Sequence, residues 1–191
     1  MTVRRDQILV VDIEATCWEN NQPPPGQQSE IIEIGACLLN VASGELAEKR
    51  SILIRPEQSE VSAFCSQLTT LTQAQVDAGI GFAEGCAILE QSYGSRNRLW
   101  LSWGDYDRQM FRKQCKARKI RYPFSKKHIN FKRLFADLNG KNRVGMTRAL
   151  EQIGLVLEGT HHRGDDDAWN IARLMRAVLD ANGPGILKKH W

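Results

Sequence analysis

Four consecutive aliphatic residues, Ile8, Leu9, Val10 and Val11, run straight into an acidic pair, Asp12 and Glu14. Successive side chains of a strand point to opposite faces, so an unbroken apolar run reads as a strand buried in the interior. Side chains two apart share a face, so both carboxylates emerge together at the end of that strand. Like charges placed side by side repel unless a cation sits between them. Two solvated charges at a strand exit is the plainer reading, and the pair alone does not decide.

The rest of the chain reads as a mixed α/β domain around that strand. After a loop over 18–28, which carries Pro23, Pro24, Pro25 and Gly26, residues 30–41 and 46–55 read as two strands turning at Ser43-Gly44. Three consecutive strands make an antiparallel meander. Helical patterns follow over 61–68, 72–78 and 82–93, then a fourth strand over 97–103 feeding a helix that ends near Lys119. A short fifth strand falls over 128–131, and helices over 147–153 and 166–181 complete the pattern. With no internal linker or repeat, residues 1–191 are expected to form a single domain with its core over 6–181 and a flexible tail over 182–191. No apolar run approaches the ~20 residues of a membrane span, and strand-like sequence begins too early for a secretory leader. Five scattered cysteines without a Cys-x-x-Cys pair argue against a disulfide framework or thiolate zinc site. They fit a reducing compartment, the cytoplasm.

Charge divides the chain more sharply than its net +4 suggests. Residues 96–148 carry 16 basic and 3 acidic side chains, whereas residues 1–95 carry 5 basic and 13 acidic. A basic middle flanked by acidic ends suggests a phosphate-rich polymer on one face and cation-binding carboxylates nearby, although a solvated Lys/Arg helix surface would look the same. Arg108, Arg112, Lys113, Lys116, Lys126 and Lys127 are the candidate phosphate contacts.

Helical spacing sorts the remaining acids. Asp107 falls on one stripe with Met110, Phe111 and Cys115, the face expected to pack on the sheet, whereas Asp105 projects with Arg108, Gln109 and Arg112 onto the polar face. Asp105 therefore reads as an N-cap or solvated charge and Asp107 as a carboxylate aimed inward. By the same test Asp167 lies above Ile171 and Met175 and faces the sheet, while Asp165 and Asp166 are explained by capping and the helix dipole. His162 stands in a loop five residues before Asp167, where a plain surface histidine is the alternative. If Asp12, Glu14, Asp107 and Asp167 converge, all-oxygen ligation without cysteine suits Mg²⁺ or Mn²⁺. Two such ions ~3.5–4 Å apart form the two-metal arrangement for phosphoryl transfer.

At these residues the sequence resembles the DEDDh 3′–5′ exonucleases, in particular the branch that trims histone mRNA and small interfering RNA. The matching motifs are Asp12-Ile13-Glu14-Ala15-Thr16-Cys17, Tyr106-Asp107 with Phe111, and His162 with Asp167. Support comes from Glu30 to Gly35, Phe64-Cys65, Leu68-Thr69, Leu71-Thr72 and Asp166 to Arg173. The resemblance runs from about Asp6 to Asp180 and covers the exonuclease domain only. It implies an RNase H-like fold with a five-stranded mixed sheet flanked by helices. It implies two Mg²⁺ or Mn²⁺ ions, with Asp12 bridging both, Glu14 and Asp167 completing one site and Asp107 holding the second. His162 would be the general base, acting beside Glu14. The 3′-terminal nucleotide would lie against Ala15, Thr16 and Cys17, with Phe64 and Tyr106 as stacking aromatics, although Phe64 as a core residue is the alternative. The implied activity is hydrolysis of single-stranded RNA, and DNA as well, from the 3′ end to 5′-mononucleotides. Rival readings are a DNA-preferring exonuclease of the same family, an RNase H-type endonuclease, and a catalytically silent nucleic-acid-binding module. Trp18 and Asp105 depart from the family pattern.

Overall fold

The computed structural model describes residues 3–140 and 142–190. Five strands form one sheet: β1 (Arg4–Ala15), β2 (Ile31–Asn40), β3 (Leu46–Leu53), β4 (Arg98–Ser102) and β5 (His128–Asn130), in the order β3-β2-β1-β4-β5. The first three pair antiparallel, and β1, β4 and β5 run parallel. The expected mixed sheet with its antiparallel edge is present, with the long apolar strand at its centre.

Helices cover both faces. They are α1 (Ala63–Thr69), α2 (Gln73–Asp77), α3 (Phe82–Tyr93), α4 (Tyr106–Ala117), α5 (Phe131–Asn139), α6 (Met146–Gln152) and α7 (Gly164–Asn182). The two-residue period of β1 assigns its side chains alternately. Ile8 and Val10 pack in one core with Ile171, Leu174 and Met175 of α7. Leu9 and Val11 pack in the other with Phe82 and Leu89 of α3 and Phe111 of α4. Continuing the register, Asp12 and Glu14 fall on the α7 face.

β2 brings a matching set to that face, because Asp12 pairs with Gly35 and Glu14 with Glu33. A Cβ on Gly35 would lie 1.8 Å from the carbonyl carbon of Gly164, so only glycine lets α7 start directly on the strand. The buried Glu33 carboxylate accepts the Gly164 N–H at 2.8 Å and binds the Arg163 guanidinium at 2.9 Å. That contact from another strand starts α7 two residues before the expected boundary.

Two features differ from the sequence expectation. Helix α5 was not anticipated, although Asn130 accepts the Arg133 N–H as an N-cap and Phe131, Leu134 and Phe135 bury on one face. The tail expected to fray forms a 3₁₀ turn over Pro184–Leu187, and fully buried Leu187 joins the α7-side core.

Candidate active site

The carboxyl ends of the parallel strands β1 and β4 open into a cavity of about 350 Å³ lined by Asp12, Glu14, Tyr106, Asp107, His161, His162 and Asp167 among others. Open α/β sheets characteristically place their sites at this edge. The three segments arrive from different directions. Asp12 and Glu14 come off the α7 face of β1, Asp167 from the first turn of α7, and Asp107 from the first turn of α4 on the opposite face. The Ile13 N–H, at the end of β1, donates to Asp107 Oδ1 at 3.1 Å and draws that carboxylate over the strand end. All four acids singled out by spacing therefore line one cavity.

Its electrostatics are those of anions lacking a counter-charge. One carboxylate oxygen each from Asp12, Glu14 and Asp167 lie within 4.8 Å of one another. Burial first, then the charges of Asp107, Glu14, Asp167 and Glu33, hold the Asp12 carboxyl well above the usual carboxylate range. Glu14 is pushed up to about 9 by burial and then by Asp167, Glu33 and Asp107, against a weaker pull from Arg163. Asp107 is pushed up to about 6, burial outweighing the hydrogen bonds it accepts from its own backbone, Ser102 and Ile13. An all-oxygen cluster this close, with the ionised forms of Asp12 and Glu14 disfavoured, fits a hard divalent cation, whose opposite oxygen ligands stand about 4 Å apart.

Both histidines of the loop before α7 reach the cavity. Only His162 of the pair was singled out, but His161 also lines the cavity, and its Nδ1 lies 3.0 Å from Asp167 Oδ2. That hydrogen bond raises the His161 pKa, whereas burial and then the neighbouring His161 lower that of His162. The two rings stack at 3.8 Å between centroids. His162 has φ of 64°, a left-handed conformation uncommon outside glycine, and its N–H donates to Asp167 Oδ2 at 3.1 Å.

Among the expected nucleotide contacts, Tyr106 is 55% exposed and lines the cavity. Phe64 is 41% exposed on α1, which removes the core alternative, but it does not line the acidic cavity. Its helix is tied to the segment after β1, because the Ser62 hydroxyl donates to the Cys17 carbonyl at 2.6 Å. Thr16 is fully buried, with its hydroxyl donating to the Gln28 carbonyl and accepting the Glu30 N–H. Its own N–H also goes to Glu30, so the Thr16 side chain and N–H are committed internally. Arg108 is half-buried and pairs with Asp105 at 2.5 Å, while Arg112 and Lys113 are exposed on α4. Asp105 occupies the N-cap position of α4 but makes no side-chain capping bond, and instead accepts the Asn130 side-chain amide at 2.7 Å.

Three contributors were missed by sequence reading. Glu33 is buried beside Glu14 on the neighbouring strand, and although it stands in the Glu30 to Gly35 stretch, its place at the site follows from the β1–β2 register. His161 was passed over for its neighbour. Ser102, fully buried at the end of β4, bonds Asp107 and lies 3.0 Å from His128 Nε2.

The chain matches the exonuclease (RNase_T) family over residues 9–175. It is 30% identical over 189 residues to the 3′-5′ exonuclease Snipper of Drosophila melanogaster, covering 88% of this chain and 67% of that protein. It is 34% identical over 185 residues to 3′-5′ exoribonuclease 1 of Rattus norvegicus, covering 91% of this chain but 53% of the rat protein. Against the crystal structure of the nuclease domain of 3′hExo, a DEDDh family member bound to rAMP, the TM-score is 0.85 at 31% identity, covering 95% of this chain and 96% of that one. The chain thus spans two thirds of the fly relative and about half of the rat one.

Proposed function

Because the chain belongs to the RNase_T exonuclease family, we propose that it is a metal-dependent 3′–5′ exonuclease hydrolysing single-stranded RNA, and DNA as well, to 5′-mononucleotides. The observation that carries this reading is the gathering of Asp12, Glu14, Asp107 and Asp167 around one cavity at a strand end, with the carboxyls of Asp12, Glu14 and Asp107 raised in pKa. A binding module would gain nothing from inward acids beside phosphate. RNA is favoured because the rat relative is named an exoribonuclease and the matching nuclease domain is one bound to rAMP.

Asp12, Glu14, Asp107 and Asp167 would hold two Mg²⁺ or Mn²⁺ ions. When bound, such ions supply an activated water and charge stabilisation for in-line displacement at phosphorus. His162, with its lowered pKa, is neutral at pH 7 and takes the proton of the attacking water. The new bond joins that water oxygen to phosphorus, and the bond from phosphorus to the 3′ oxygen of the preceding nucleotide breaks. The terminal residue leaves as a 5′-monophosphate, the leaving 3′ oxygen takes a proton from solvent to become the hydroxyl of the shortened strand, and His162 returns its proton to solvent. Exposed Tyr106 and Phe64 stack on the terminal bases, and the backbone from Ala15 to Cys17 seats the 3′-hydroxyl. Arg108, Arg112 and Lys113 contact phosphates. The residues from 1 to 191 act as one exonuclease domain, in the reducing cytoplasm that five free cysteines suit.

The test is turnover on matched RNA and DNA oligonucleotides with Mg²⁺, with Mn²⁺ and with EDTA. Metal-dependent release of mononucleotides, faster from RNA, is the expected outcome. Binding without turnover in either metal would leave only a nucleic-acid-binding module.

A further inference from the structure

Away from the acids, the outer side of α4 and the segment after it enclose a cavity of about 420 Å³ lined by Arg112, Lys116, Tyr122, Phe124, Ser125 and Lys126 among others. We propose that this cavity is a second nucleic-acid site, one that grips the phosphodiester backbone of the substrate strand on the 5′ side of the bond being cut. The proposal rests on the exonuclease reading for the direction of the strand only.

Its charge is unbalanced. No carboxylate lines the cavity, and among the described residues none lies within 4.0 Å of Arg112, Lys116 or Lys126. The sequence from Arg108 to Ala136 contains no acid at all. Elsewhere the protein pairs its cations readily, as with Arg118 on Glu30 and Glu57, Arg163 on Glu33 and Arg173 on Glu158. Arg108 is paired with Asp105, but Arg112 and Lys116 follow it at four-residue steps along the same helix, a ladder of like charges that weaken it unless an anion lies along them. Lys116 gains from its place in the last turn of α4, but Arg112 does not.

The ladder also points the right way. Asp107 is in the first turn of α4, and Arg112 and Lys116 follow at roughly 8 and 14 Å along the axis. A strand with its 3′ end among the acids and its backbone along α4 meets these cations in order. The cavity adds aromatic surface, since the Arg112 guanidinium sits 5.8 Å from the centroid of the Tyr122 ring, which itself packs on Phe124. Cations interleaved with an aromatic plane suit a phosphate followed by a base, without dependence on sequence. A lone phosphate or free mononucleotide shares part of this chemistry but spans only one rung.

The experiment is binding in EDTA, where no hydrolysis occurs, of fluorescent RNAs about 2 and about 16 nucleotides long to the full chain and to its Lys116→Ser/Lys126→Ser variant. The expected result is that the variant binds the long RNA roughly tenfold more weakly and loses about 1.4 from its salt slope, at ~0.7 per phosphate contact, with the short RNA unaffected. Unchanged affinity and slope for the long RNA would overturn the proposal. So would an equal loss for both lengths, which would indicate a diffuse field. Inorganic phosphate or AMP that competes for the cavity but leaves long-RNA binding untouched would assign it to a free anion instead. Vesicles of phosphatidylserine bound in preference to RNA would assign it to a membrane surface, again overturning it. Length-dependent binding that needs these lysines, in a protein showing no nuclease activity, would uphold this site and refute the exonuclease reading.

Discussion

Asp105 and Asp107 stand two residues apart at the start of α4 and do different work. Asp107 accepts the Ile13 N–H and faces the acidic cavity, whereas Asp105 ties α4 to β5 through Asn130 and pairs with Arg108. Asp107→Asn should therefore cut hydrolysis by roughly 10³-fold or more with the fold intact, because a neutral amide is a poor ligand for Mg²⁺. Asp105→Ala should cost about 1 kcal/mol, a melting temperature lower by roughly 2–4 °C, with most activity kept. Turnover and thermal unfolding of both variants check this, and the opposite pattern would shift the motif by two residues. The histidines separate in the same way. His162→Ala should lower kcat by ~10²–10⁴ with metal affinity nearly unchanged, as expected for a general base. His161→Ala should instead raise the metal concentration needed for half-maximal rate about 10-fold, because it removes a partner of Asp167. The inward placement of Asp107 and Asp167 was legible from helical projection, because an acid on an apolar stripe stands out. His161 was not, since neither residue spacing nor periodicity tells which of two adjacent loop histidines turns inward.

At the scale of elements, β1 announced itself through its apolar run, and the alternation of its neighbours fixed which face carries Asp12 and Glu14. Contacts between elements were harder to read. Glu33 and Gly35 sit inside what reads as an ordinary strand, and their importance depends on α7 arriving from 130 residues away in sequence. Helix α5 was overlooked although its cap and apolar spacing were present, because the short strand before it runs into it without a loop. The tail misled because its Gly-Pro-Gly signal is real, yet Leu187 finds a place in the core. Gly35→Ala tests how closely β2 sets the site. The added methyl collides with backbone rather than a flexible side chain, so it should destabilise by about 3 kcal/mol or more, or yield protein with α7 displaced. A denaturation midpoint close to that of the parent would show that α7 yields easily.

For the whole molecule, the proposed function gives the acidic cluster and the basic face one substrate, a phosphate backbone that would meet cations along its length and metal-holding carboxylates at its end. The cluster also makes stability depend on pH. Glu14 and Asp107 have folded pKa values raised to about 9 and about 6, so the folded state holds more protons than the unfolded chain between the ordinary carboxylate range and those values. Stability without metal should therefore fall as pH rises from about 5 towards 9, and Mg²⁺ or Mn²⁺ should flatten the curve by taking the place of the protons. Thermal unfolding across that range with EDTA and with Mn²⁺ measures it. A metal-free stability that rises with pH would mean that the acids are not held together as described. The central claim, that this cavity removes nucleotides one at a time from a 3′ end, is met most directly by comparing a linear RNA labelled at its 3′ end with the same sequence closed into a circle, both with Mn²⁺. The expected result is immediate release of the label as a 5′-mononucleotide from the linear strand and no cleavage of the circle. Opening of the circle, or release of the label in longer fragments, would contradict it.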